Sequence, residues 1–232
     1  MKSKGLSMLM HSITGLLGLG LTLSSCYASA EQGDVKLEAS LKRLDVASAR
    51  FSSAQAVFHK DLYNKLVGDH TPQDGSIYFV RTGGSLQMGA RIDGPGARIA
   101  EYKNGVLRDL IPGRCYNTVQ ASGNKAKFDS FLTLGFGGSG KDLAEAWNIV
   151  DMGQETLDGA KVEKLELVSK EQSVRNNYTK VTLWMDLDRG ISLKQVLLSP
   201  SGDIDTATYT KIRLNEKNVN KKPFEIKGSP CK

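Results

Sequence analysis

The sequence predicts an α+β fold in which about ten short antiparallel strands form a curled sheet interrupted by a few helices. Two observations carry this prediction. Segments with apolar residues at alternate positions recur along most of the chain, separated by turns rich in Gly, Pro, Asn or Asp. Helical segments do not follow each strand, which argues against a doubly wound parallel sheet. Such a meander typically curls into a barrel or half-barrel.

Residues 1–30 have the pattern of an export signal with two alternative cleavage sites. Lys2 and Lys4 precede an apolar run that is shorter than the roughly 20 residues a spanning helix needs. Cleavage after Ala30, which ends an Ala-Ser-Ala triplet, would release a soluble protein. The Leu-Ser-Ser-Cys sequence ending at Cys26 resembles a lipobox and would leave that cysteine lipidated. We expect a signal peptide over 1–30, one domain over 31–232 and a function outside the cytoplasm; a buried core helix is the alternative.

The clearest predicted helix covers residues 35–51. Its apolar residues recur at spacings of four and three, so they share one stripe, whereas charged residues fall on other faces. The stripe must lie against an apolar surface, and its members include Leu37, Leu41 and Leu44.

The strand signals that follow are period-2 alternations bounded by turn residues. Strands are predicted at 54–63, 75–81, 86–92, 97–102, 106–111, 116–120, 162–168, 179–187, 191–198 and 205–214, with 223–226 as a last edge strand. The Lys103-Asn104-Gly105 turn is a strong hairpin signal. Helices are predicted at 125–134 and 141–147, divided by the glycine-rich residues 135–140.

Two cysteines remain after either cleavage, Cys115 and Cys231. In an exported protein such a pair indicates one disulfide, which would tie the C-terminus to the middle of the fold. Two unpaired thiols are the alternative. A metal site is not expected, because His11, His59 and His70 show no ligand spacing with either cysteine.

Composition argues against several classes of function. The formal net charge is +6, but charges of both signs alternate and no Lys/Arg-rich block stands out, so nucleic-acid binding is not expected. A weak attraction to anionic lipid headgroups stays open. Histidines are few, no Gly-x-Ser-x-Gly elbow occurs, and the carboxylates lie in turns or on polar strand faces. We therefore expect neither an enzyme nor a cofactor.

One near-match to a nucleotide motif must be weighed. Residues 135–141 have the glycine and lysine spacing of a phosphate-binding loop, but Asp142 stands where that loop needs Ser or Thr for magnesium. The preceding segment predicts a helix rather than the required strand. The preferred interpretation is a flexible hinge between two helices, with Asp142 favouring the N-terminus of the second. No nucleotide is expected.

In its order of elements, the chain resembles the outer-membrane lipoprotein carrier family, the LolA-like periplasmic proteins, over residues 35–226. Residues 49–53, Ala-Arg-Phe-Ser-Ser, are similar to the family's passage from helix to strand. Residues 75–81, Gly-Ser-Ile-Tyr-Phe-Val-Arg, are similar to its strand of Gly, apolar residues and Arg. The hairpin at 102–107 and the late Asp-Leu-Asp-Arg-Gly turn at 186–190 also resemble family features.

The resemblance implies a half-open barrel covered by a helical lid, with an apolar cavity between them for lipoprotein acyl chains. In the family a strand arginine contacts the lid and helps to control opening, and Arg81 is the matching residue. The chain departs from the family at Thr82, where Pro is usual, and at Leu107, where the hairpin aromatic is replaced.

Strand alternation assigns the cavity wall. The predicted lining consists of apolar residues on common strand faces together with one arginine: Ile77, Phe79, Arg81, Leu86, Met88, Ile92, Val181, Leu183 and Met185. The methionines suit a wall that adapts to its ligand. The alternatives are an ordinary packed core and, for Arg81, a side chain that turns to solvent instead of reaching a lid carbonyl.

Three hypotheses about function follow. The first is a non-enzymatic periplasmic carrier or chaperone of lipids or lipoproteins, loaded and unloaded by membrane release and acceptor proteins. The second is the same fold anchored in the outer membrane through lipidated Cys26, facing the periplasm as an acceptor or sensor. The third, a hydrolase or nucleotide enzyme, would depend on Lys141.

Overall fold

The computed structural model describes residues 24–83, 85–120 and 134–231. Residues up to Val35 and residues from Lys36 onward form separate units, and the sheet and its cover lie in the second. Most of the predicted signal sequence, and the helix predicted at 125–134 apart from Leu134, lie outside the described residues. Among the described helices, none has the length and apolar character needed to cross a bilayer.

The elements run along the chain as follows. The helices are α1 Ser24–Arg50, α2 Gly140–Ala146, α3 Gln172–Arg175 and a 3-10 turn Lys222–Phe224. The strands are β1 Ser53–Asn64, β2 Asp69–Thr82, β3 Ser85–Ile92, β4 Arg98–Lys103, β5 Val106–Leu110, β6 Tyr116–Gln120, β7 Trp147–Leu157, β8 Ala160–Ser169, β9 Lys180–Asp186, β10 Ile191–Leu198 and β11 Ile204–Leu214.

All eleven strands form one antiparallel sheet in the order β6-β5-β4-β3-β2-β1-β11-β10-β9-β8-β7. The first and last strands of this order do not pair with each other, so the curled sheet stays unclosed. The prediction of a curled antiparallel sheet with helices is confirmed.

Two strand assignments were wrong. Strand β7 was missed because it follows α2 without a turn and because a bulge between Asp151 and Gln154 breaks its alternation. The predicted edge strand at 223–226 is instead a 3-10 turn with Pro223 in its first positions. Proline cannot donate to a strand ladder and its fixed φ suits the start of a helical turn.

The register places most of the buried apolar strand residues on one face, here called the covered face. In one half of the sheet Ala54 pairs with Phe79, and Phe79 pairs with Met88. In the other half Leu183 pairs with Leu165. The cover over this face consists of α1 from Lys36 onward and residues 134–146. Its apolar side chains and the covered face together form the core.

Candidate functional site: the covered face and its cover

All nine residues predicted to line a cavity lie on the covered face. They fall into two groups that pack against different parts of the cover. Phe79, Leu86 and Met88 pack in one cluster with Phe51 and Phe136. The rings of Phe79 and Phe136 stack with their centroids 4.7 Å apart.

The second group lies under the middle of α1. Val181, Leu183 and Met185 are buried in a cluster with Leu44 of α1 and Leu143 of α2. Two further predicted wall residues, Ile77 and Ile92, are half-buried.

The predicted apolar stripe of α1 is only partly used. Leu44 is buried and Leu41 packs against the second cluster, whereas Leu37 stays half-exposed. The C-terminal part of the helix therefore makes the closest contact with the sheet.

Arg81 joins the sheet to two parts of the cover. Its Nη1 donates to the backbone oxygen of Ser48 in α1 at 2.9 Å, and its Nη2 donates to that of Gly137 at 2.5 Å. The Ser48 hydroxyl also donates to the Gly137 oxygen, at 2.7 Å. The guanidinium lies 5.4 Å from the centre of the Phe51 ring. Arg81 thus binds helix and loop at once.

The glycine-rich segment before α2 is a packed loop rather than a hinge. A Cβ on Gly137, whose φ is +72°, would lie 2.3 Å from Cδ1 of Phe51, and one on Gly140 would lie 2.1 Å from the backbone oxygen of Leu41. Its backbone is also tied to β10, since the Ser192 N–H donates to the Gly135 oxygen at 2.6 Å. The glycines allow the close approach of loop, helix and strand.

The backbone groups that a phosphate would need are already used. The Lys141 N–H donates to Asp45 Oδ1 and the Asp142 N–H to Ser139 Oγ, each at 3.0 Å. Ser139, not Asp142, is the N-cap of α2. The similarity to a nucleotide loop is therefore explained by packing and capping.

A carboxyl pair on the covered face escaped the sequence interpretation. Glu163 pairs with Met185 across β8 and β9, and Asp151 pairs with Leu165, so neither lies on a polar strand face. Desolvation, and then the hydrogen bond to Asp151 and its charge, raise the pKa of Glu163 to about 7. The signal was present, because Glu163 alternates in phase with Leu165.

Helix α1 contacts this pair from above. The Ser40 hydroxyl donates to Asp151 Oδ2 at 3.1 Å. The positive charges of Arg43 and Lys36 act against the rise in the Glu163 pKa. Arg43 itself is hydrogen-bonded to Asp188 Oδ1 at 2.8 Å. In the described part of the chain, no group of three His, Cys, Asp or Glu side chains is placed to hold a metal ion.

The predicted disulfide between Cys115 and Cys231 is present and closes one edge of the sheet. Next to it the Tyr116 N–H donates to the Ser229 oxygen at 3.2 Å, and the Cys231 N–H donates to the Tyr116 oxygen at 2.9 Å. The C-terminal segment thereby pairs with β6, the first strand in the sheet order.

No protein-family model and no curated protein matches the sequence, but solved structures do match its fold. MucB is 16% identical with a TM-score of 0.52, covering 84% of this chain and 64% of its own. This chain thus spans less than two thirds of MucB. An uncharacterized conserved protein from Thermus thermophilus is 9% identical, with a TM-score of 0.52 and coverage of 83% and 94%.

A LolA superfamily protein from Nitrosomonas europaea is 15% identical, with a TM-score of 0.40 and coverage of 82% and 97%. At these identities the likeness is one of fold alone. The unclosed antiparallel sheet with its helices has the α+β half-barrel architecture that the sequence resemblance implied.

Proposed function

We propose that the protein is a non-enzymatic periplasmic carrier that shields the acyl chains of lipoproteins, or of other lipids, between the covered face and the cover. The observation that carries this proposal is an apolar sheet face closed by a helix and a loop that one arginine, Arg81, joins to the sheet. Membrane proteins that release and accept the cargo would be its partners, and the outer membrane its destination.

The energetics of acyl chains make such a shield necessary. Burying one CH₂ group is worth about 0.8 kcal/mol, so a lipoprotein with three chains of roughly 15 methylenes faces a cost on the order of 30 kcal/mol in water. If the cover were displaced, the acyl chains could pack against the sheet side chains that now contact the cover. Met88 and Met185 can adapt to different chains because the thioether side chain is flexible.

The attachment at Arg81 suits reversible opening. Hydrogen bonds from a charged group to carbonyls contribute about 1.5–3 kcal/mol each, which is small beside the gain from burying acyl chains. The cargo can therefore offset the loss of these bonds. Arg81 would act as a latch for the cover.

The proposal is tested by the binding of a hydrophobic fluorophore to the purified protein and by the release of lipoproteins when the protein is added to spheroplasts. We expect both to occur, and failure of both rejects the proposal. A matched pair of variants locates the site. Met185→Gln, at a side chain 3% exposed, should weaken binding, whereas Met152→Gln, at one 52% exposed, should not. Thermal unfolding of both variants checks that they are folded.

A second candidate rests on the lipobox-like sequence that ends at Cys26. The same fold would then be an outer-membrane lipoprotein that accepts cargo or senses lipids without diffusing. Mass spectrometry of the mature N-terminus separates the two. Cleavage after Ala30 leaves a mobile domain of residues 31–232, whereas an acylated Cys26 marks the tethered form.

A further inference from the structure

A cavity of about 420 Å³ lies against the strands β1, β2 and β11. Gln55, Val57 and Ser76 line it and share the face opposite to Ala54 and Phe79, because Gln55 pairs with Tyr78 and Val57 with Ser76. Its volume falls within the range of small-molecule sites. The remaining lining residues are Ala56, Ile77, Lys211, Arg213 and Phe224.

The backbone at Lys211 is in an unusual conformation for this residue type. Among the described residues, four other than glycine have a positive φ, and three of them are Asn or Asp, which tolerate it. Lys211 is the fourth, with φ +49°, in a bulge opposite Ala56 where β11 carries one residue too many. Glycine is the residue usual at the left-handed position of a bulge. Such outliers occur at functional sites, where the structure holds them in place.

The cavity combines positive charge with an apolar wall. Within the described residues Lys211 has no ion-pair partner, and Arg213 Nε lies 3.6 Å from Glu216 Oε2, beyond hydrogen-bond distance. Glu216 instead accepts a 2.6 Å hydrogen bond from Gln55 Nε2. Arg213 is thus in a loose ion pair with Glu216, and since this contact is longer than a hydrogen bond, its N–H groups can still donate to a ligand.

The apolar wall is held firmly. Phe224 packs edge-on against Tyr78 with ring centroids 4.9 Å apart, and Lys221 donates to Gln87 Oε1 at 2.7 Å. The 3-10 turn is thus fixed on the sheet beside Val57, which is 39% exposed. An apolar surface lies beside two cations, one of which is paired with the Glu216 carboxylate.

We propose that this cavity binds an amphipathic anion. Its carboxylate or phosphate group lies with Lys211 and Arg213, and its short apolar part lies against Val57 and Phe224. Most of the lining lies on the face of the sheet opposite to the proposed acyl-chain site, whereas Ala56 and Ile77 belong to the covered face; both cations lie outside the acyl-chain site.

Titration calorimetry with hexyl phosphate and hexanoate tests the proposal on the purified protein, with hexanol and inorganic phosphate as comparisons. We expect saturable binding of an anion that carries a hexyl chain. Lys211→Gly removes the cation at a position of positive φ, which glycine adopts without strain, so this variant should fold normally. It should weaken binding by about tenfold, the loss of one charge-assisted hydrogen bond. Lys103→Gln, at the end of β4, is the control and should bind like the parent.

Several outcomes would overturn the proposal: no saturable binding, Lys211→Gly binding as the parent does, or inorganic phosphate or hexanol binding as tightly as hexyl phosphate. Displacement of hexyl phosphate by phosphatidylglycerol vesicles would identify a membrane lipid as the source of the anion, and displacement by hexanoate alone a soluble carboxylate. Fluorophore binding to the covered face should be the same in the parent and in Lys211→Gly. The proposal of an acyl-chain site and the proposal of an anion site can therefore be rejected independently.

Discussion

Helix α1 is attached to the sheet at two places that differ in chemistry. Near the C-terminal end of the helix, Arg81 donates to the backbone oxygen of Ser48. It also donates to the backbone oxygen of Gly137, in the loop before α2. About two turns earlier, Ser40 donates to Asp151, which is hydrogen-bonded to Glu163. A guanidinium keeps its charge at every physiological pH, whereas the carboxyl of Glu163 has a pKa of about 7.

The two attachments therefore have different roles: the one at Arg81 holds the cover on the sheet, and the one at Ser40 adjusts how firmly it is held. The Arg81 attachment is reinforced by tight packing of Gly137 against Phe51 and does not respond to pH. The attachment at Ser40 is made to Asp151, whose neighbour Glu163 has a pKa raised to about 7. We expect substitutions at the first attachment to have large effects at any pH, and substitutions at the second to have small effects that change with pH.

The largest effect is expected from Gly137→Ala. The added Cβ would lie 2.3 Å from the Phe51 ring at a φ of +72°, so the loop or the helix must shift, at a cost of about 2–4 kcal/mol. Urea unfolding measures the loss. Gly159→Ala is the matched control, since it has a φ of +80° and no atom within 4 Å of the added Cβ. Equal losses in both variants would mean that packing at Gly137 is not what secures the cover.

A smaller loss, about 2 kcal/mol, is expected from Arg81→Leu, because it removes both donors to the cover. The loss is below the sum of the two bonds because Arg81 is half-buried and each acceptor oxygen keeps another donor. The Ser48 oxygen keeps the Phe51 N–H as a donor at 3.1 Å, and the Gly137 oxygen keeps the Ser48 hydroxyl. The variant should stay folded and should exchange a bound fluorophore faster than the parent, as measured by stopped-flow displacement.

Arg108→Leu is the control for Arg81→Leu, since Arg108 also lies against an aromatic ring, that of Tyr116 at 5.5 Å, but is exposed. Its exchange rate should equal that of the parent. An unchanged exchange rate in Arg81→Leu would remove the latch from the proposed mechanism.

Alternation and turn chemistry were sufficient to predict most of the sheet. Val181, Leu183 and Met185 lie on one buried face as their spacing required. The hairpin after β4 turns at Asn104 and Gly105, which both have positive φ. Such signals lie within a few consecutive residues, so they can be recognised without knowing which strands pair.

The attachments of α1 depend instead on residues far apart in the sequence. Arg81 meets Gly137, and Ser40 meets Asp151, only when the cover lies on the sheet. Asp151 and Glu163, by contrast, are neighbours in the β7–β8 hairpin, a strand pair that the sequence did not reveal. For Arg81 the resemblance to a family supplied the missing information. For Glu163 the only local signal was its phase with Leu165, and carboxylates on strands are far more often solvated.

The smallest effect, and the only one that depends on pH, is expected from Glu163→Gln. Folding raises the pKa of Glu163 from 4.5 to about 7, so the folded state holds this proton more tightly than the unfolded state. The resulting stabilisation is complete below pH 4.5 and is lost as the pH rises through 7. Because the side chain still contacts solvent, the effect is discounted to about 1 kcal/mol.

Glutamine keeps a donor for Asp151 at every pH, so the variant should be more stable than the parent at pH 8 and no more stable at pH 5. Urea unfolding at both values measures this. Glu145→Gln, on the exposed side of α2, removes one negative charge elsewhere and should leave the pH dependence of the parent unchanged. If the stability of the parent does not fall between pH 5 and 8, the Asp151–Glu163 attachment does not respond to pH, like that of Arg81. The two attachments would then differ in packing alone.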